Sequence, residues 1–173
     1  YAVAKLSGIN MCAAYNRQFW VNFIAVFPAT FYGPEDDFNP DTAHVISALI
    51  KKIHDAKKSN EDFVEVWGSG TVRREFIFVD DLVDAGIFLL NNYSQNRHIN
   101  VGCSKDYTIN ELVKVISGVV GFKGKIRYDG SKPEGVKQKL LDSARIASLG
   151  WKPKTSLKDG IDITYKWFKE HIE

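Results

Sequence analysis

A tyrosine and a lysine stand four residues apart at the start of the chain, as Tyr1 and Lys5. The apolar spacing of residues 1–18 predicts a helix, on which these two side chains share a face. A tyrosine hydroxyl exchanges protons poorly at neutral pH, and a nearby lysine ammonium helps because it favours the phenolate. Such a pair can protonate a carbonyl oxygen while a nicotinamide delivers hydride. Taken alone, the spacing is matched more often by chance pairs on helix surfaces.

Further motifs follow this pair in a fixed order. They are Pro28-Ala-Thr-Phe-Tyr-Gly-Pro34, His44, Trp67-Gly-Ser-Gly-Thr71, Arg73-Arg74-Glu75-Phe76, Val79-Asp-Asp81, His98-Ile-Asn-Val-Gly102, Lys132-Pro-Glu-Gly135 and Lys139. The series resembles the extended short-chain dehydrogenase/reductase superfamily. Within it, Asn16-Arg17-Gln18, His44-Val-Ile46 and the segments around Trp67 and Arg74 are more similar to the GDP-L-fucose synthase family than to its UDP-sugar or dTDP-sugar relatives.

The resemblance covers essentially the whole chain and implies an α/β fold. It would be the C-terminal part of an extended short-chain dehydrogenase/reductase fold of the NAD(P)-binding Rossmann type, in which the last Rossmann elements join a small α/β substrate-binding domain. The residue patterns also predict alternating helices and strands. Helices are predicted over 1–18, 42–58, 82–92, 108–120, 143–149 and from Thr155 or Ser156 onwards. Strands are predicted over 23–27, 63–67, 74–79, 99–101 and 125–128.

Local signals predict where several elements begin. Asp41 or Thr42 would cap the second helix, Asp80 and Asp81 the third, and Thr108-Ile-Asn-Glu111 forms a capping box. Residues 31–40 are expected to form a loop. Eight aromatic residues are assigned to the core: Phe23, Phe27, Phe63, Phe76, Phe78, Trp151, Trp167 and Phe168.

The resemblance implies three catalytic residues. Tyr1 is expected to protonate the oxygen at C4, and Lys5 to bind the nicotinamide ribose and support Tyr1. His44 is expected to move protons at C3 and C5 and to contact the cofactor. A histidine suits this role because it exchanges protons near neutral pH. The alternative is a histidine that only bonds the backbone at a helix start.

The resemblance also implies the binding residues. The nicotinamide end of NADP(H) is expected to contact Pro28, Ala29, Thr30 and Phe31. A GDP-linked sugar is expected to contact Lys52, Trp67, Arg74, Glu134 and Lys139. The planar guanidinium of Arg74 suits a diphosphate. Alternatives remain for four of these residues: an ion pair of Arg74 with Asp80 or Asp81, core packing for Trp67, and surface positions for Glu134 and Lys139.

The implied activity is that of an NADP-dependent enzyme. It would convert GDP-4-keto-6-deoxy-D-mannose to GDP-L-fucose by epimerisation at C3 and C5 and reduction at C4. The chain departs from the family pattern at Thr30 (usually Asn), Lys51-Lys52 (usually an Arg pair), Glu134 (usually Asp) and Gln138 (usually Arg). These departures motivate a second hypothesis, a GDP-heptose C4 reductase or a related nucleotide-sugar epimerase.

The glycine-rich βα turn that holds the cofactor pyrophosphate in this family does not occur in the 173 residues. Gly68-x-Gly70 is no substitute, because the third glycine is missing and no helix is predicted to follow. The helical pattern begins at once at Tyr1, which predicts that an upstream part is missing. Residues 1–173 are therefore interpreted as the C-terminal half of an NAD-dependent epimerase/dehydratase domain. A third hypothesis is that this half alone is an inactive substrate-binding fragment.

Composition limits the partners. The net charge of +2 does not indicate nucleic acid, and the basic residues at 51–58 are typical of a solvated helix face. No apolar run is long enough to span a membrane. Cys12 and Cys103 form no disulfide framework or zinc-type spacing, which favours a cytoplasmic protein without a metal. The family resemblance implies a homodimer through helix 1–18, whose small and apolar residues are Ala2, Ala4, Leu6, Ala13 and Ala14.

Overall fold

The computed structural model describes residues 1–39 and 42–173, which alternate between helices and strands as predicted for an α/β protein. The helices are α1 (Ala2–Phe19), α2 (Val45–Lys58), α3 (Val79–Asn92), α4 (Ile109–Val120), α5 (Ala144–Ser148) and α6 (Leu157–His171). The strands are β1 (Val26–Pro28), β2 (Thr30–Tyr32), β3 (Phe63–Trp67), β4 (Arg73–Phe78), β5 (Ile99–Val101), β6 (Asp106–Thr108), β7 (Lys125–Asp129) and β8 (Gln138–Lys139).

Strand β4 is the central strand of the sheet that carries the predicted binding residues Arg74 and Lys139. Its C-terminal half pairs with β2 in parallel, with Phe76 opposite Thr30. Its N-terminal half pairs with β6 in antiparallel fashion and with β8 in parallel, so that Arg74 is in register with Lys139. Two further parallel pairs, β1 with β5 and β3 with β7, complete the described topology.

Two apolar clusters hold these elements together. The larger lies among α2, α4, α6, β3 and β4, and the smaller among α3, α5 and β5. Helix α4 shows why the larger cluster forms: its residues at three- and four-residue spacing face inward, and Leu112 and Ile116 are fully buried. Each such side chain contributes roughly 1.5–3 kcal/mol relative to exposure.

The start of α2 differs from the prediction. The helix begins at Val45 with His44 as its N-cap, so His44 does not lie inside the helix as the predicted span of 42–58 implied. Thr42 is not the cap, because its hydroxyl bonds Asp37 and its N–H donates to the carbonyl of Asn39 at 3.2 Å. The alternative cap, Asp41, lies outside the described residues.

The first strand, predicted over 23–27, is shorter and shifted, because β1 spans only Val26–Pro28. Three further predictions need correction. Phe31 and Tyr32 belong to β2 and not to a loop. Helix α3 begins at Val79 after Phe78, so Asp80 and Asp81 lie in its first turn and do not cap it. The short strands β6 and β8 were not predicted. All three differences involve β4: β2, β6 and β8 pair with it, and α3 starts directly after it.

The aromatic assignment is correct for the most buried residues and wrong for two. Phe76, Phe78, Trp151 and Phe168 are buried, whereas Phe23 and Phe63 are exposed. The Arg127 guanidinium stacks on the ring of Phe63, with its central carbon 3.7 Å from the ring centroid. Phe63 is therefore covered by an arginine and not by the core.

Helix α1 has no buried residue. It is attached near its C-terminal end, where the Asn16 side chain donates to the carbonyl of Phe23 at 2.9 Å and accepts the N–H of Phe23 at 2.7 Å. Within residues 1–39 and 42–173, no helix is long and apolar enough to cross a membrane.

Candidate active site

The first part of the site is the pair at the start of α1. Lys5 donates its backbone N–H to the carbonyl of Tyr1 at 3.1 Å, which places the two residues one helical turn apart. The Lys5 ammonium lies 5.4 Å from the centroid of the Tyr1 ring, and Tyr1 is 97% exposed. The predicted shared face is confirmed.

The second part is the segment between β1 and β2. Pro28 ends β1 opposite Val101, and the Ala29 N–H donates to the carbonyl of Val101 at 2.8 Å. Phe31 is in register with Ile77 of β4. In open α/β sheets, ligands bind beyond the carboxyl ends of parallel strands, which is the position of this segment. Ala29 is buried, so Pro28 and Phe31 provide its exposed surface.

His44 is exposed and has extended backbone angles, with φ −70° and ψ 162°. Its carbonyl accepts the N–H of Ala48 at 2.9 Å, but its imidazole makes no capping hydrogen bond to α2. The alternative of a histidine whose side chain bonds the backbone of this helix is therefore wrong. Asp37 lies nearby: hydrogen bonds from Thr42 and Asn39, and then the charge of His44, lower the pKa of Asp37.

Arg74 is the centre of the third part. Its Nη1 donates to the carbonyls of Arg73 and Val136 at 2.7 and 2.8 Å, and its Nη2 to that of Glu134 at 3.2 Å. Arg74 thus holds the loop that precedes β8. In β8, Lys139 is the register partner of Arg74. The alternative, an ion pair of Arg74 with Asp80 or Asp81, is wrong. The Asp81 carboxylate accepts the N–H groups of Lys154 and Thr155. Asp80 lies exposed in the first turn of α3.

Glu134 closes the same loop from the other side. Its carboxylate accepts the backbone N–H of Ser69, and hydrogen bonding from Ser69 holds the pKa of Glu134 below its ordinary value. Gly68 fits beneath it at φ +83°, where an added Cβ would lie 2.8 Å from Cγ of Glu134. Glu134 is therefore a structural contact of the 68–70 turn as well as a predicted binding residue.

Trp67 is 66% exposed at the end of β3, so core packing is wrong for this residue. The ammonium of Lys132 lies 5.8 Å from the centroid of its ring. The structure therefore brings together four of the five predicted substrate residues: Trp67, Arg74, Glu134 and Lys139.

Lys52 is the fifth, and it lies exposed on α2. Its neighbour Lys51 forms an i,i+4 ion pair with Asp55 at 2.9 Å. Among the described residues, no recorded contact links Lys52 to the cluster around Arg74.

Two participants were not predicted as site residues, Ser69 and Lys132. Both lie within motifs that the sequence displayed, the Gly68-x-Gly70 turn and Lys132-Pro-Glu-Gly135. Both motifs are loops, and loops carry a disproportionate share of binding residues. The 68–70 turn is followed by β4, as expected for a segment that is not a dinucleotide-binding turn.

Glu75 was also not predicted, although it follows Arg74 directly. It is 3% exposed, and its carboxylate accepts the N–H groups of Ser104 at 2.7 Å and Leu141 at 2.8 Å. It fixes the chain just after β8, and so supports the position of Lys139. Its burial depends on the loop packing of Gly102 against it, which local sequence does not reveal.

Cys103 has a structural environment. Its thiol donates to the carbonyl of Phe76 at 3.2 Å, and burial, followed by the charges of Glu75 and Asp81, raises its pKa to about 11. In the described part of the chain, no group of three His, Cys, Asp or Glu side chains is arranged to hold a metal ion.

Comparison with known proteins identifies the family of the chain. The model of the NAD dependent epimerase/dehydratase family matches residues 1–102, which is more than half of the chain. The chain belongs to the NAD dependent epimerase/dehydratase family. A probable GDP-L-fucose synthase 1 of Oryza sativa subsp. japonica is 50% identical over 99% of this chain and 52% of its own length. The chain thus spans about half the length of the curated relatives it matches.

Solved structures of two nucleotide-sugar enzymes have the same fold. A GDP-L-fucose synthetase from Naegleria fowleri matches with a TM-score of 0.93 and 26% identity, over 99% of this chain and 55% of that one. A GDP-6-OMe-4-keto-L-xylo-heptose reductase from C. jejuni matches with a TM-score of 0.87 and 33% identity, over 97% of this chain and 60% of that one. The fold is therefore the α/β fold of NAD(P)-binding epimerases and reductases, of which this chain covers about half.

Proposed function

We propose that this chain is the C-terminal half of an NADPH-dependent epimerase/reductase that converts GDP-4-keto-6-deoxy-D-mannose to GDP-L-fucose. The observation that carries the proposal is 50% identity, over 99% of the chain, to a probable GDP-L-fucose synthase. The exposed Tyr1–Lys5 pair and the cluster around Arg74 support it, because they supply a proton donor and a diphosphate site.

Tyr1 donates a proton to the oxygen at C4, and Lys5 lies close enough to stabilise the resulting phenolate. His44, together with a partner residue upstream of these 173 residues, removes a proton from one face of C3 and C5 and delivers one to the other, at carbons acidified by the neighbouring ketone. The exposed imidazole at the start of α2 fits this role because it is free to meet a ligand. NADPH supplies hydride to C4 when bound, and Lys5, His44 and the 28–31 segment would contact its nicotinamide end.

The GDP moiety is assigned to the cluster around Arg74. A guanidinium has five N–H donors, and three of those of Arg74 bond backbone carbonyls, so two remain for diphosphate oxygens. Lys139 adds a second cation from the neighbouring strand. Trp67 offers an exposed aromatic face, Glu134 lies in the loop that Arg74 holds, and Lys52 would reach the substrate from α2.

The test is an assay of the full-length protein with NADPH and GDP-4-keto-6-deoxy-D-mannose. NADPH oxidation with formation of GDP-L-fucose is the expected result. No oxidation with this substrate would contradict the proposal. Residues 1–173 alone are expected to oxidise no NADPH, since they lack the glycine-rich turn, and measurable oxidation by them would overturn that expectation.

A GDP-heptose C4 reductase is the second candidate. The 33% identity to the C. jejuni heptose reductase favours it, as do the departures at Lys52 and Glu134. The product separates the two enzymes, because a reduced sugar with unchanged C3 and C5 stereochemistry indicates the C4 reductase.

The full-length protein is proposed to be a cytoplasmic homodimer. The apolar residues that α1 exposes, Leu6 and Met11 among them, support a partner helix. Cys12 and Cys103 are both free thiols, which fits a reducing compartment.

A further inference from the structure

The outward face of β3 ends in an open aromatic surface. Val64 and Val66 are 2% and 4% exposed, whereas the alternate residue Trp67 is 66% exposed. An indole presents a large flat apolar face on which a planar ring can stack. The Trp67 ring at the end of β3 is therefore an exposed surface on which a base can stack, in the same cluster as Arg74 and Lys139.

A tight turn places Lys132 above this ring. Asp129 is the register partner of Trp67 in β7, and its carbonyl accepts the N–H of Lys132 at 3.3 Å. The Asp129 carboxylate fixes the turn by accepting the N–H and hydroxyl of Ser131 at 3.0 and 2.6 Å. The Lys132 ammonium consequently lies 5.8 Å from the indole centroid.

The chain after Lys132 is fastened as well. The Glu134 carboxylate bonds the N–H of Ser69, and Arg74 bonds the carbonyls of Glu134 and Val136. Lys132 is thus held between two anchored points, while its side chain stays exposed. Its flexible stem can move the ammonium from the ring face to the edge of a base that stacks there.

We propose that Lys132 is a base-specificity residue that donates hydrogen bonds to N7 and O6 of a guanine stacked on Trp67. This inference rests on the proposed function, which supplies a nucleoside diphosphate. An ammonium can only donate, and guanine offers two adjacent acceptors on this edge. Adenine places a donor beside N7, and uracil has O4 without an N7, so both make a poorer match.

The experiment is calorimetric titration of the full-length protein with GDP, ADP and UDP. Lys132→Met removes the charge and keeps the apolar stem, and Lys132→Arg restores a donor. Lys123→Met, at an exposed lysine beyond α4, is the matched control. We expect Lys132→Met to weaken GDP binding about tenfold, to change ADP and UDP binding less than about twofold, and Lys132→Arg to recover the GDP preference.

Equal losses for GDP, ADP and UDP in Lys132→Met would overturn the inference, because they would make Lys132 a diphosphate contact. Unchanged GDP binding in that variant would overturn it too. Both outcomes leave the proposed function intact, since the unmodified protein still binds GDP. If the unmodified protein binds none of the three diphosphates, that result contradicts the proposed function, and with it the inference about Lys132.

Discussion

At the scale of single residues, exposure and hydrogen bonding distinguish side chains free to react from those that hold the fold. Tyr1 and His44 are exposed, and no hydrogen bond of the described residues occupies the Tyr1 hydroxyl or caps α2 with the His44 ring. Glu75 and Asp81 are buried, and each accepts two backbone N–H groups. The first pair is available for chemistry and the second pair supports loops.

Replacement of Tyr1 by phenylalanine tests the proton donor. Tyr1→Phe should lower kcat for NADPH oxidation by about 10²- to 10⁴-fold, because the oxygen at C4 loses its acid. KM should change little, since the ring remains. Tyr15→Phe, on the exposed surface of the same helix, is the control and should keep full activity. A Tyr1→Phe enzyme with normal kcat would exclude the role.

Replacement of His44 should separate epimerisation from reduction. His44→Gln is expected to stop proton exchange at C3 and C5, because glutamine neither accepts nor releases a proton near neutral pH. Proton NMR of the substrate in D2O without NADPH measures that exchange directly. His171→Gln, near the exposed end of α6, should exchange normally. Normal proton exchange at C3 and C5 in His44→Gln would show that another residue moves these protons.

At the scale of elements, local signals predicted some boundaries well and others poorly. The capping box at Thr108 and the span of β3 were both predicted correctly, because they depend on side chains within one segment. β6 and β8 have three and two residues, and they exist because β4 offers them backbone partners. The same applies to the site: Arg74 was predictable as a residue, but the three backbone carbonyls to which it donates were not.

The capping box gives a prediction about α4. Thr108 accepts the N–H of Glu111 at 3.0 Å, and Glu111 accepts the N–H of Thr108 at 2.7 Å. Thr108→Ala should lower the free energy of unfolding by about 1 kcal/mol, whereas Thr108→Ser keeps the cap and should lower it by much less. Urea denaturation measures both. Equal losses would show that methyl packing, and not the cap, accounts for the effect.

At the scale of the whole molecule, carboxylates join elements that are distant in sequence. The indole N–H of Trp151, then Lys154, lowers the pKa of Asp84. Arg73, then Gln138, lowers the pKa of Asp106, which connects β4, β6 and β8. A carboxylate whose pKa is lowered by folding contributes stability above its unfolded pKa, near 4, and loses that contribution as the pH falls through its folded pKa.

The expected consequence is acid sensitivity. The Tm should fall as the pH drops from about 5 towards 3, because these carboxylates must then be protonated. Asp84→Asn should make the fall shallower, whereas Asp62→Asn, at an exposed position between α2 and β3, should leave it unchanged. A Tm that rises on acidification would contradict the assignment of these contacts as stabilising.

The central claim is that this chain belongs to an enzyme that both epimerises and reduces a GDP-4-keto sugar. The most direct measurement is NMR of the product formed by the full-length protein from GDP-4-keto-6-deoxy-D-mannose and NADPH in D2O. We predict GDP-L-fucose that carries solvent deuterium at C3 and C5 and hydride-derived hydrogen at C4. A reduced product without deuterium at C3 and C5 would contradict the claim and identify a C4 reductase instead.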